Sequence, residues 1–201
     1  GGQGMNTGIG DAVNLAWKLG DVIKGKADPA LLETYEIERM RFARQLVSTT
    51  DRAFHLISSP GRLARFVRTA VAPVVLPLLF RFRFFQRAAY RLVSQIRITY
   101  RKSSAARGVQ KGDRLPWIEG IDNFAPLRSL DWQIHVYGDR DETLRKETLP
   151  GLAIHTFPWT EETARKGLQR NQAYLIRPDG HIGSIKKPGP GKKISPGPSG
   201  L

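Results

Sequence analysis

The sequence contains no cysteine, which excludes disulfides, thiolate metal sites and a dithiol redox pair, and fits a reducing compartment. Its four histidines, His55, His135, His155 and His181, are scattered without ligand-like spacing, so a metal centre is not expected. The chain does not open on a basic region followed by an apolar core, so a secretory signal is not expected either. The longest apolar run, AVAPVVLPLLF from Ala70 to Phe80, holds two prolines and is too short to span a bilayer. One sign of charge is also missing over a long stretch. Between Asp51 and Asp113 there is no Asp or Glu, while Lys and Arg number thirteen. The tail after Ile185 adds four lysines and no acid, so the net charge of +14 resides in the middle and the end of the chain. Any electrostatic function belongs to those regions.

What remains is ordinary: 201 residues, 40% hydrophobic, enough for one good core or two small ones. From Thr7 to Lys24 the polar residues Thr7, Asp11, Asn14, Lys18 and Asp21 recur at spacings of four and three. They predict a helix with one solvent stripe and otherwise buried faces carrying Ile9, Val13, Leu19 and Ile23. Gly25 ends it. Asp28 is a plausible N-cap and Pro29 a first helical residue, starting a second helix that runs to about Ile57, where SSPG breaks it. Two further helical segments, GRLARFVRTAV and FRFRFFQRAAYRLVSQ, are expected to be split by Pro73 and Pro77. IRITYR alternates as a short strand, and KSSAARGVQKGDRLPWIEG is a loop by composition and a natural boundary.

The last third changes character. LDWQIHVYG and GLAIHTFPW read as strands, ETARKGLQR as a helical piece, and AYLIRPDGHIGSI as two strands around a Pro178, Asp179, Gly180 turn. This predicts a small α/β unit. KKPGPGKKISPGPSGL, residues 186–201, has almost nothing to bury and is expected to be disordered. The predicted fold class is therefore α/β overall: a mainly helical part over residues 1–107, a small α/β domain over 108–185, and the tail. His135 and His155 are expected to be structural strand residues, and His181, after the turn, an exposed one.

The opening GGQGMNTGIGDAVNLAWKL is a glycine cluster running into a helix. Such clusters let backbone N–H groups approach an electron-rich ligand at the positive end of the helix dipole. The spacing fits neither the phosphate loop nor the dinucleotide fingerprint. By spacing alone, a ligand loop and a plain glycine linker both remain open.

GGQGMNTGIGDAVNLAWKL closely resembles the third FAD-contacting segment of the flavin-dependent aromatic hydroxylases, the group A monooxygenases related to para-hydroxybenzoate and phenol hydroxylases. LLETYEIERMRFARQLV, SQIRITYRKS, GDRLPWI and AYLIRPDGHIG continue the resemblance, with Tyr35, Glu36, Glu38 and Arg39 on the family's pattern. It implies that Gln3, Gly4, Met5 and Asn6 direct amides at the pyrimidine side of the flavin, and that Gly1 and Gly2 let the chain pass close to the ring. The family normally holds the AMP half of FAD with a Rossmann unit, the ribityl chain with the Asp of a Gly-Asp motif and the substrate with a sheet domain, none of which occurs in this sequence. The resemblance thus implies the C-terminal portion of a hydroxylase, with little FAD affinity of its own. The full enzyme would use NAD(P)H, oxygen and an aromatic, phenolic substrate, by way of a flavin hydroperoxide. The terminal α/β unit resembles the thioredoxin-like domain of these hydroxylases, its redox role excluded by the absence of cysteine.

No catalytic acid, base or nucleophile stands out, and the resemblance requires none because the flavin carries the chemistry. The partners to weigh are a homodimer and an anionic membrane surface met through residues 60–107, where arginines interleave with aromatic and aliphatic residues. The bland reading of that stretch is arginine stems covering apolar neighbours. Nucleic acid is disfavoured, since no recognised module accompanies the charge. The expected location is cytoplasmic, peripheral to a membrane if the basic stretch binds one. The alternative function is a non-catalytic remnant acting as a basic membrane-surface or scaffold protein.

Overall fold

The computed structural model describes residues 4–93, 99–100, 108–139 and 151–186. The IRITYR strand falls mostly outside these residues, as does the 186–201 tail beyond Lys186. The chain divides into two compact units, Gly1–Asp11 with Glu36–Arg97 and Ala12–Tyr35 with Ile98–Leu201.

The first helix, α1 (Gly4–Ile23), ends where Gly25 takes a positive φ and Lys26 and Ala27 donate back to the Asp21 carbonyl. Asp28 caps the next turn, its carboxylate accepting from the Ala30 N–H at 2.8 Å with Pro29 at the first position. This short 3₁₀ turn leads into α2 (Glu33–Ser58). Glycine at 61 then opens α3 (Arg62–Phe66), followed by α4 (Ala72–Phe80) and α5 (Arg83–Val93).

Pro73 and Pro77 do not break the helix as expected. Residues Val67–Val71 form a π-helical turn in which the Ala72 N–H reaches the Val67 carbonyl five residues back. The Thr69 hydroxyl donates to the Arg65 carbonyl at 2.8 Å. Pro73 then lies in the first turn of α4, where no intrahelical N–H bond is needed, and Pro77 is exposed within it. Helical geometry therefore continues from Arg62 to Phe80. By length and composition that stretch is long and apolar enough to cross a membrane.

In the second unit, β1 (Gln133–Tyr137), β2 (Ala153–Phe157), β3 (Ala173–Ile176) and β4 (Ile182–Lys186) form one sheet in the order β2-β1-β3-β4. β1 runs parallel to β2 and antiparallel to β3, and β3 and β4 make the hairpin. The short α6 (Glu161–Arg165) is started by a capping box between Thr160 and Thr163. The period-two alternation of β1 and β3 sorts two cores. Tyr137, Tyr174 and Ile176 join Leu115, Ile118, Leu168 and Ile182 on one face, while Ile134, Val136, Ala173 and Leu175 cluster on the other. Gly138 ends β1 at φ 130°, and a Cβ there would lie 2.1 Å from the Asn171 carboxamide oxygen, so only glycine fits.

Candidate functional site

Of the six residues singled out for cofactor contact, Gly4, Met5 and Asn6 are described; Gly1, Gly2 and Gln3 lie outside the described residues. Gly4, Met5 and Asn6 are already helical, forming the exposed first turn of α1 instead of the loop expected before Thr7. The first N–H groups of a helix have no intrahelical acceptor, and this turn carries no acid that would offset its positive end. A Cβ placed on Gly4 or Gly8 would meet nothing within 4 Å. Among the described residues, neither glycine is therefore demanded by packing. The bare backbone they leave suits close approach by a planar group from outside, which is the fit a flavin edge requires.

Arg39 of α2 fixes this turn. Its side chain is buried, ion-paired to Asp11, and donates to the Thr7 carbonyl at 3.3 Å. Gly10 makes room for it: a Cβ there would stand 3.3 Å from the guanidinium. A guanidinium satisfies a carboxylate and a carbonyl in one plane, which lysine cannot do. Sequence reasoning placed Arg39 on a family pattern but assigned it no role, because nothing local announces a partner 28 residues away.

The exposure of α1 is inverted relative to the sequence expectation. Asn14 and Lys18, on the stripe assigned to solvent, are 1% and 0% exposed. Met5, Ile9, Val13, Leu19 and Ile23, on the opposite face, are exposed. The polar stripe is drawn inward by specific partners. Asp11 meets Arg39, Asp21 accepts from the Trp132 indole N–H at 2.8 Å, and Asn14 donates to Asp179 at 3.2 Å.

Asp179 is the centre of the second unit's polar network. Its carboxylate accepts from Arg177 at 2.6 and 3.1 Å, from the Trp17 indole N–H at 3.1 Å, from Asn14, and from the His181 backbone N–H at 3.3 Å. The Arg177 guanidinium lies 4.9 Å from the Trp17 ring and 5.3 Å from that of Tyr100. Burial by itself would raise the Asp179 carboxyl, but Arg177 foremost, then His181, hold it well below the ordinary carboxylate range. His181, expected to be exposed, is 6% exposed, its Nδ1 3.3 Å from Asp179 and its ring 4.5 Å from that of Tyr100. Trp17 is thereby an anchor to the hairpin of the sheet, with Trp132 edge-on at 5.5 Å.

His135 is fully buried beside Phe157 and His155, its pKa lowered to about 3 by burial and secondarily by His155. It is a neutral strand residue, as expected. Among the described residues no group of His, Asp and Glu has the geometry to hold a metal.

Residues 1–50 match the family model described as the FAD binding domain. The 6-methylpretetramide 4-monooxygenase of Streptomyces rimosus is 48% identical over 77 residues, which is 38% of this chain and 12% of that protein. A 3-(3-hydroxy-phenyl)propionate/3-hydroxycinnamic acid hydroxylase of Mycolicibacterium vanbaalenii is 43% identical over 83 residues, 40% of this chain and 15% of the relative. In structure, the OxyS anhydrotetracycline hydroxylase of Streptomyces rimosus superposes with a TM-score of 0.65 at 27% identity, over 94% of this chain and 38% of that one. The chain thus spans only a minor part of the length of the proteins it matches. In sequence and fold it matches part of the FAD-dependent aromatic hydroxylases, and its first 50 residues are the segment that matches the FAD binding domain.

Proposed function

We propose that this chain is the part of an FAD-dependent aromatic monooxygenase that lines the pyrimidine side of the flavin and carries a terminal accessory domain. The observation that carries the reading is the first turn of α1. Its backbone is exposed, its glycines at 4 and 8 are unused by the fold, and it is pinned from behind by Arg39 within the segment that matches the FAD binding domain. Gly4, Met5 and Asn6, with Gly1, Gly2 and Gln3 ahead of them, would hold the flavin through backbone amides. When bound, FAD supplies the redox chemistry and oxygen transfer. The chain's own contribution is electrostatic: N–H groups and a helix dipole fixed in advance toward a group that becomes electron-rich. The apolar face formed by Met5, Ile9, Val13, Leu19 and Ile23 supports the same reading, since it would be covered by the larger body of such an enzyme.

The co-reactants of the whole enzyme would be NAD(P)H, oxygen and a phenolic ring, in the cytoplasm, with a homodimer as its assembly. The division into 1–107, 108–185 and the tail belongs to this proposal as well. A thioredoxin-like origin for the terminal domain is supported by the parallel β1–β2 pair beside the antiparallel β3–β4 hairpin. Without cysteine its role is bracing: Asp179 ties the hairpin to Asn14 and Trp17 of α1.

The test is a graft. Residues 1–50 would replace the matching segment of the Streptomyces rimosus 6-methylpretetramide 4-monooxygenase. A chimera that hydroxylates its substrate with NAD(P)H consumption coupled to product supports the proposal. A folded, soluble chimera without flavin refutes it.

A further inference from the structure

Arg39 does more to the first turn of α1 than hold it in place. Its guanidinium donates to the Thr7 carbonyl at 3.3 Å, on an oxygen whose other lone pair serves the helix. In an α-helix each N–H bonds the carbonyl four residues back. The peptide group that carries the Thr7 carbonyl also carries the Gly8 N–H, which meets the Gly4 carbonyl, and the peptide group of that carbonyl carries the Met5 N–H. Met5 stands among the first four residues of α1, whose N–H groups have no acceptor within the helix. A line of two peptide groups thus runs from a buried cation of α2 to an amide singled out for cofactor contact.

Hydrogen bonds in such a line polarise one another, by about 10–30% per bond. A cation at one end draws electrons toward itself and leaves the amide hydrogen at the far end more positive. The ion pair beside the turn does not cancel this effect. The Arg39 side chain is 5% exposed and that of Asp11 38%, so water screens the carboxylate more than the guanidinium. The remaining field is positive, the same sign as the N-terminal end of the helix itself. Gly10 permits the approach: a Cβ there would lie 3.3 Å from one guanidinium nitrogen and 3.6 Å from another. None of these contacts depends on a surface being free.

We propose that Arg39 is a positioning residue that strengthens the Met5 N–H as a hydrogen-bond donor, and that Asp11 attenuates it. Together they set how strongly the first turn of α1 prefers flavin in its reduced, electron-rich form. This role rests on the flavin reading of that turn.

The test uses the graft of residues 1–50 in the related monooxygenase, which carries both side chains, and reads the reduction potential of its flavin. Arg39→Gln should lower the preference for reduced over oxidised flavin by roughly three- to tenfold, and Asp11→Asn, which uncovers the cation, should raise it by roughly the same factor. Arg39→Lys keeps the charge without the fork and should fall between the parent graft and Arg39→Gln. A purely structural pin would move Arg39→Gln and Asp11→Asn in the same direction, because both break it. In the flavin-free 201-residue chain, the amide proton resonances of Met5 and Gly8 should shift upfield in Arg39→Gln and downfield in Asp11→Asn. Shifts of one sign in both variants, by either measurement, would overturn the inference and leave the flavin reading intact. A folded graft without flavin would overturn both.

Discussion

Arg177 and Asp179 stand two residues apart on one turn, buried together, and the second unit is arranged around them. Removing one charge of a buried pair leaves the other unpaired, so Asp179→Asn should lower the unfolding free energy by about 3–5 kcal/mol. Asp139→Asn, which breaks the exposed pair with Arg170, should change it by no more than about 0.5 kcal/mol. Urea denaturation of both variants measures the contrast. His135 makes a separate prediction about pH. Its folded pKa, about 3, lies below the unfolded value of 6.5, so the unfolded chain binds the extra proton. The stability it confers is complete above about pH 6.5 and is lost as pH falls toward 3, at up to about 1.4 kcal/mol per pH unit. His155, lowered by burial, acts in the same direction, whereas the stability that Asp179 confers is complete above the ordinary carboxylate range and is lost only as pH falls below it. Between pH 4 and 6.5, His135→Leu should therefore show a shallower fall of melting temperature than the parent chain. The histidines at 135 and 155 were legible as strand residues from their alternating neighbours. The burial of His181 was not, because it depends on Tyr100 arriving from a separate segment to stack on the ring.

At the scale of elements, helix boundaries were legible wherever a local device sets them: Gly25, Asp28 with Pro29, and the SSPG break. The exposed side of α1 was not. Periodicity separates two faces without saying which is wet, and here the polar face carries the hydrogen-bond partners of Arg39, Trp132 and the Asp179 network. Two substitutions check the inversion. Ile9→Gln, on the exposed apolar face, should leave thermal stability of this chain within about 0.5 kcal/mol, while Asn14→Leu, on the buried polar face, should cost about 1–3 kcal/mol. The proline expectation failed for a different reason. A π turn at Val67–Val71 places Pro73 in the first turn of α4, where its missing N–H matters least. Arg39→Lys tests the pin beneath the candidate site. It keeps the charge but not the fork, and amide exchange at Thr7–Asp11 should accelerate while exchange in β1 and β3 stays unchanged.

For the whole molecule, the resemblance legible in the first nineteen residues agrees with the match of residues 1–50 to the FAD binding domain and with the similarity in fold to a known hydroxylase. Substrate identity was not legible in the sequence. If, as proposed, the chain offers one edge of a cofactor site, it should bind that cofactor weakly. Titration of the 201-residue chain with FAD is expected to show no saturable flavin fluorescence change at micromolar concentrations, and flavin copurifying with it would contradict this expectation. The most direct measurement of the central claim is the flavin-to-protein ratio of the graft of residues 1–50 into the related monooxygenase, with and without Gly4→Val. Gly4 has open space around it, so valine should leave the fold intact yet obstruct the backbone's approach to the flavin. The ratio is expected to be near that of the parent enzyme for the graft and markedly lower for the Gly4→Val form. A folded graft without flavin, or a Gly4→Val form that retains it fully, would show that the first turn of α1 does not hold the flavin.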